Sequence, residues 1–329
     1  MQKQKVVIDT DPGIDDSLAI LAALNSPELD VIGISIVEGN VPTTIGVQNA
    51  LKILREANRL DVPIYSGASK PLKHDYVSAQ DTHGNDGLGN SHLTDVLGID
   101  TYDLIQDKGY EELFAQQDIC FLALGPLTNV AYSIQTQPEI WRDVSRIVIM
   151  GGAYQTQGNS SPVAEYNFWV DPDAAEYVIQ SNICKIDVVP LDVTRKIVLT
   201  PNILQIMKYM NPQKTKFIHQ IIQFYFDFHW QQEHVLGAVI NDPLVIAYIL
   251  DPTIAIGYEF YMTIVTEGKA LGQSIVDSAS FLKCQPNVTL LQQVDAKRAM
   301  AIIISRLIRV DQEALLKDLD HVAQELEAM

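Results

Sequence analysis

The chain has 329 residues, which fits one large domain or two ordinary ones, and 47% of them are hydrophobic, enough for a substantial core. Formal net charge is −18, from 41 acidic against 23 basic residues; that balance disfavours DNA, RNA and anionic membranes, whose binding rests on Lys and Arg neutralising phosphates. The cysteines Cys120, Cys184 and Cys284 are odd in number, far apart and in no CxxC pattern, so free thiols are expected rather than a disulfide frame or a zinc site.

Met1 to Lys5 lead straight into an apolar run without a signal-type apolar segment, and no apolar run reaches membrane length. A cytoplasmic protein is therefore expected. Val6–Ile8 reads as the first strand, followed by a helix from about Asp15 to Asn25 with Leu18, Leu21, Ala22 and Leu24 apolar. Val31–Val37 is the second strand, and Pro42 opens a helix through Asn58. Further strands are expected at Ile119–Leu124, Ile147–Met150 and Ile186–Pro190, with helices starting near Pro126 and Pro172, where proline suits a first turn. Pro212–Gln232 reads as a long aromatic helix, 254–292 as irregular strands, and Asp295–Arg309 and Asp311–Met329 as helical. The alternation predicts an α/β fold with a mostly parallel central sheet flanked by helices. One domain over 1–329, with a C-terminal extension from about 254, is the simplest organisation.

Ligands of such sheets bind beyond the carboxyl ends of the strands, and the polar segments fall there. Asp9, Asp11, Asp15 and Asp16 crowd the exit of the first strand; Glu38-Gly39-Asn40 follows the second; Gly125 to Asn129 and Met150-Gly151-Gly152 follow two others. Helix capping explains one or two carboxylates, but four so close repel one another unless a hard cation binds them, and clustered carboxylates are the usual supply for Ca²⁺. Asp242, before Pro243, is a further candidate ligand whose simpler role is a helix cap. Asn159, Glu165 and Asn167 stand in a loop with no basic partners, a set suited to neutral hydroxyls such as those of a sugar. Asp171 or Asp173 is expected to cap a helix.

The segment Asp9 to Asp16 resembles the N-terminal signature of the inosine-uridine nucleoside hydrolase family. The resemblance continues in order through Glu38-Gly39-Asn40, Gly125 to Asn129, Met150-Gly151-Gly152, Ala164 to Asn167 and Asp242-Pro243, over roughly residues 5 to 250. It implies a Rossmann-like nucleoside hydrolase fold and Ca²⁺-dependent cleavage of a ribonucleoside into ribose and a free base, in a homodimer or homotetramer. It also implies Ca²⁺ held by Asp11, Asp15, Asp242 and the backbone carbonyl of Thr128, with Asp16 on the ribose diol beside the ion and able to touch it. Asn40, Asn159, Glu165 and Asn167 would hold the other ribose oxygens, Met150 would pack on the sugar, and Asp11 would be the general base for water. These residue types suit the chemistry: N-glycoside cleavage builds positive charge on the sugar, which carboxylates and amide oxygens stabilise.

One position departs from the family pattern. Many members place a histidine just before the late metal-binding aspartate; here it is Asn241, which can donate a hydrogen bond but delivers no proton at neutral pH. His83, in the Gly-rich stretch 81–89, and Tyr225 and His229, four apart on one helix face, are the candidate groups for the leaving base, with His234 a weaker one. Two other readings stay open. A nucleoside-binding homologue or one acting on an unusual nucleoside would explain Asn241. A haloacid dehalogenase-type phosphohydrolase would use Asp9-Thr10-Asp11, although no downstream lysine and late acidic pair follow in order.

Overall fold

A computed structural model describes residues 3–317. Twelve strands form within them: β1 (Gln4–Thr10), β2 (Leu29–Ile36), β3 (Ile64–Ser66), β4 (Tyr102–Asp103), β5 (Ile119–Ala123), β6 (Val144–Met150), β7 (Lys185–Val189), β8 (Val198–Leu199), β9 (Ala238–Val239), β10 (Ala255–Ile264), β11 (Ser274–Asp277) and β12 (Val288–Val294). Ten of these make one sheet in the order β11-β10-β12-β7-β6-β5-β1-β2-β3-β4, while β8 and β9 pair apart from it. From β12 to β4 every pairing is parallel; β10 and β11 run antiparallel at one edge. The sheet is thus α/β and mostly parallel, as expected.

The apolar runs explain why it is covered on both faces. In β1, Val6 and Ile8 join one buried cluster and Val7 the other, so consecutive residues feed opposite faces and a continuous apolar strand is needed. The Ile14–Leu24 helix is buried along its whole length and packs between the Thr43–Ala57 and Pro243–Leu250 helices. Pro42 precedes the Thr43–Ala57 helix rather than opening it, and Asn58 ends it in the left-handed conformation at φ 58°.

The region after 254 is built into the sheet: β12 lies parallel beside β7, with Thr289 opposite Asp187. The short β3 and β4 extend the other side. The Ala296–Ile308 helix matches the helix expected at Asp295–Arg309. The helix expected over Asp311–Met329 is helical over 312–317 and otherwise lies outside the described residues. Among the described residues no helix is long and apolar enough to cross a membrane. Strand order reverses at β1, which has β2 on one side and β5 on the other, and a crevice at the carboxyl end of β1 is where such a sheet binds its ligand.

Candidate active site

The chain leaving β1 places Asp11 in the turn and Asp15 and Asp16 in the first turn of the Ile14–Leu24 helix. All three are buried, and Asp242 joins them from the start of the Pro243–Leu250 helix. Carboxylate oxygens of Asp15, Asp16 and Asp242 lie within 4.8 Å of one another. Asp242 makes no side-chain cap for its helix, so the simpler capping role does not account for it. Asp171 does act as a cap, accepting from Ala174 N at 3.1 Å.

Each carboxylate is held differently. Asp16 accepts from Thr10 Oγ1 at 2.5 Å, Gly13 N at 3.0 Å and Asn40 Nδ2 at 2.9 Å. Asp11 Oδ2 accepts from Asn40 N at 2.6 Å, whereas its Oδ1 is buried without a hydrogen-bond partner among the described residues. Gly39 makes this possible: a Cβ there would stand 2.0 Å from Asp11 Oδ2. Asp15 turns toward the Pro212–Glu233 helix, and its Oδ2 accepts from Tyr225 Oη at 3.3 Å, Asn241 N at 3.2 Å and Asn241 Nδ2 at 3.1 Å. Asp9 stands behind the cluster, accepting from Ser35, Tyr110 and Asn129, and so supports the turn without facing the site.

Burial dominates the electrostatics. It pushes Asp11 and Asp242 well above the usual carboxylate range, and neighbouring carboxylates add to the rise in both. Asp16 is pushed up to about 6 by burial and by Asp15, and Asp9 to about 6 by burial. A cluster that holds protons this tightly, with an orphaned oxygen on Asp11, lacks a positive partner, and its all-oxygen donors fit a hard divalent cation.

Above the carboxylates opens a cavity of about 860 Å³, lined among others by Asp15, Asn40, His83, Met150, Asn159, Glu165, Asn167, Tyr225, His229, Asn241 and Asp242. Glu165 accepts from Gly152 N at 2.9 Å, Asn167 N at 2.8 Å and Phe168 N at 3.2 Å, and burial lifts it to about 7. Asn167 Nδ2 donates to Leu124 O at 2.7 Å and Met150 O at 3.1 Å. Asn159 Oδ1 accepts from Tyr166 N at 2.9 Å. Asn241 Oδ1 accepts from Thr194 Oγ1 at 2.8 Å, so its amide nitrogen is aimed at Asp15. His83 is the buried last residue of the Gln80–His83 helix, not a surface histidine. Burial holds it below the usual histidine range; nearby Asp15 opposes that shift and His229 adds to it.

Two expectations change, those for Thr128 and His234, and Asn40 shows added contacts. Thr128 does not line this cavity: its hydroxyl donates to Asp171 Oδ2 at 2.6 Å, and it faces a second cavity with Leu72, Tyr110 and Asn129. As the first residue of the Thr128–Thr136 helix, it directs its carbonyl along that helix. The carbonyl at the exit of β5 beside the site is that of Leu124, which the sequence reading missed. Asn40 spends its amide on Asp16 and its backbone on Asp11, so it brackets the carboxylates. His234 ends the Pro212–Glu233 helix, exposed, outside the cavity lining.

Known proteins are similar to this one over nearly the whole chain. Residues 6–301 match the family model described as inosine-uridine preferring nucleoside hydrolase. A probable uridine nucleosidase 2 of Arabidopsis thaliana is 33% identical over 322 residues, covering 93% of this chain and 98% of that protein. The pyrimidine-specific ribonucleoside hydrolase RihA of Klebsiella pneumoniae is 34% identical over 310 residues, covering 92% and 97%. Among solved structures, a plant nucleoside hydrolase, PpNRh1, superposes with TM-score 0.88 at 30% identity, over 94% of this chain and 100% of that one. A purine-preferring ribonucleoside hydrolase from Gardnerella vaginalis gives 0.86 at 29% identity, over 95% and 99%. With the carboxylate cluster at the reversal of strand order and the match running from β1 past the last strand, the chain belongs to the inosine-uridine preferring nucleoside hydrolase family.

Proposed function

We propose that the protein hydrolyses the N-glycosidic bond of ribonucleosides in a Ca²⁺-dependent reaction, releasing ribose and a free base. The observation that carries this reading is the position of the carboxylates: Asp15, Asp16 and Asp242 converge within 4.8 Å, with Asp11 tied to Asp16 through Asn40, under a cavity whose lining includes Asn159, Asn167, Asn241, Glu165, His83 and His229. The donors Asp11, Asp16 and Asp242, with the Leu124 carbonyl nearby and Asp15 within 4.8 Å of Asp16 and Asp242, are the set suited to the ion. Asp15 opens on the cavity, and its place is with the ribose hydroxyls at the ion's edge. This exchanges the roles expected for Asp15 and Asp16. When bound, the cation would orient the sugar diol and the attacking water and lower the pKa of that water.

The chain's own groups supply the rest. Asp11, with an unpaired buried oxygen, accepts the proton of the water. Glu165 and Asn167, fixed by backbone groups, face the ribose with oxygen atoms as positive charge builds on the ring. Met150 gives the sugar an apolar contact. Asn241 holds Asp15 in place through its amide, which is a positioning role and delivers no proton. Negative charge developing on the departing base falls to His83, with His229 and Tyr225 lining the same side of the cavity.

The test is a panel of inosine, adenosine, guanosine, uridine and cytidine, followed by reducing-sugar release, with and without EDTA and with Ca²⁺ restored. Release from at least one nucleoside, abolished by EDTA and recovered with Ca²⁺, is expected. No release from any of the five would overturn the reading in favour of a binding protein or a protein of unusual substrate. The same panel reports base preference.

A further inference from the structure

The two cavity histidines are wired oppositely. His83 Nδ1 takes the backbone N–H of Ile14 at 3.0 Å. A backbone amide only donates, so Nδ1 carries a lone pair and the single proton of the neutral ring sits on Nε2. Asp15 Oδ1 lies 4.0 Å from the same Nδ1 and would favour a proton there, but the Ile14 N–H already occupies that lone pair at shorter range. The approach depends on Gly13, where a Cβ would stand 2.7 Å from Nδ1.

His229 has the reverse arrangement. Its Nδ1 is 2.9 Å from the carbonyl oxygen of Tyr225, one turn earlier in the Pro212–Glu233 helix. A carbonyl only accepts, so Nδ1 carries the proton and Nε2 of the neutral ring carries the lone pair. Both rings line the cavity and are buried. Among the described residues neither Nε2 has a protein partner, and neither is among the fully buried orphaned atoms, so both open on the cavity. Tyr225 lies between them, with ring centroids 5.2 Å from His83 and 4.4 Å from His229. Its hydroxyl is directed to Asp15 and does not compete for the base.

We propose that His83 and His229 form a fixed donor–acceptor pair for the nucleobase, His83 offering Nε2–H and His229 the Nε2 lone pair. The ligand class is a base whose edge presents an acceptor beside an N–H. The inference rests on the reading of this cavity as a nucleoside site. It divides the labour on the base side: His83 stabilises an acceptor atom that gains negative charge, and His229 selects for the neighbouring N–H. A buried lone pair left without its donor is costly, which is the strong form of hydrogen-bond specificity.

The direct test is long-range ¹H–¹⁵N correlation on the ¹⁵N-histidine-labelled full chain without ligand, at about pH 8, above the ordinary histidine range. The two rings are assigned from His83→Gln and His229→Gln. Expected are a pyridine-type Nδ1 with a pyrrole-type Nε2 for His83 and the reverse for His229. The same tautomer in both rings, or protons on both nitrogens of either, overturns the proposal. A second arm compares uridine with 3-methyluridine, which lacks the N–H, in the wild type and in His229→Leu. The methyl group is expected to lower kcat/KM about 10-fold or more in the wild type and by less than about 3-fold in the variant. An equal penalty in both removes His229 as the acceptor. Absence of turnover on every nucleoside counts against the hydrolase reading, and the spectrum then judges the tautomer pair on its own.

Discussion

Asp11 carries the sharpest conflict between stability and chemistry. Its carboxylate is buried, one oxygen has no partner, and burial and Asp16 together hold its proton far above the usual range. Asp11→Asn keeps the volume and removes the charge. It is expected to lower kcat by about 10³-fold, within the range for loss of a general base, and to raise the melting temperature of the EDTA-treated protein. A variant that keeps full kcat, or melts lower without metal, would contradict this account. Much of the site at this scale was legible in the sequence: four carboxylates in eight residues, then Glu165, Asn167 and Asp242, declare themselves by chemical type. Three things were not. A carbonyl ligand has no residue-type signature, so the choice between Leu124 and Thr128 depends on which one ends a strand and which one begins a helix. The use of Asn40 as a bracket depends on where Asp11 stands. The histidine tautomers follow from partners 69 and 4 residues away in sequence, Ile14 and Tyr225.

The elements that build the site are the exits of β1, β2, β5 and β6, the Gln80–His83 and Pro212–Glu233 helices and the start of the Pro243–Leu250 helix. Polar and Gly-rich sequence at those exits was readable because strand and exit alternate along the chain. By contrast, β3 and β4 have three and two residues, too few for any periodicity, and nothing local in β12 specifies β7 as its parallel neighbour. The exit of β2 must pass close to β1: Gly39→Ala would put a methyl group against Asp11 Oδ2. Activity is expected to fall about 10²-fold or more, with a loss of stability of about 1–3 kcal/mol from overpacking, measured by kinetics and by thermal melting. Wild-type kcat with an unchanged melting curve would mean the turn has slack that the geometry denies. At the cavity mouth, Arg195 donates to Thr156 Oγ1 at 2.9 Å and Gly158 O at 3.2 Å and lies 3.6 Å from Glu233 Oε1. It ties the loop before Asn159 to the end of the Pro212–Glu233 helix. Arg195→Ala is expected to raise KM about 3- to 10-fold with kcat little changed, since each lost hydrogen bond is worth about 1 kcal/mol and none touches Asp11, Asp15, Asp16 or Asp242. A fall in kcat with KM constant would place Arg195 in the chemistry instead.

Across the whole molecule, acidity and the buried cluster act in the same direction. The formal charge of −18 already opposes compactness at neutral pH, and the carboxylates under the cavity add a local term with a definite sign. Asp9 and Asp16 are raised to about 6 and Glu165 to about 7, so the folded chain keeps protons that the unfolded chain has released. Their favourable contribution is complete below about pH 4 and is lost as pH rises through about 6 to 7. The metal-free protein is therefore expected to melt progressively lower between about pH 5 and about pH 8. A cation binds the same carboxylates only when they are deprotonated, so its affinity moves the other way. Ligand at 100 times its dissociation constant stabilises by about 2.7 kcal/mol, and that increment is reached at lower Ca²⁺ as pH rises. The gap between melting temperatures in Ca²⁺ and in EDTA should consequently widen from about pH 5 to about pH 8, against a falling metal-free baseline. A Ca²⁺ increment that is constant across this range, or that shrinks at the alkaline end, would mean that the ion is held by groups other than Asp11, Asp16 and Asp242. Asp9 gives the control, because it lies behind the cluster on Ser35, Tyr110 and Asn129. Asp9→Asn should flatten part of the metal-free baseline while leaving the widening of the gap intact.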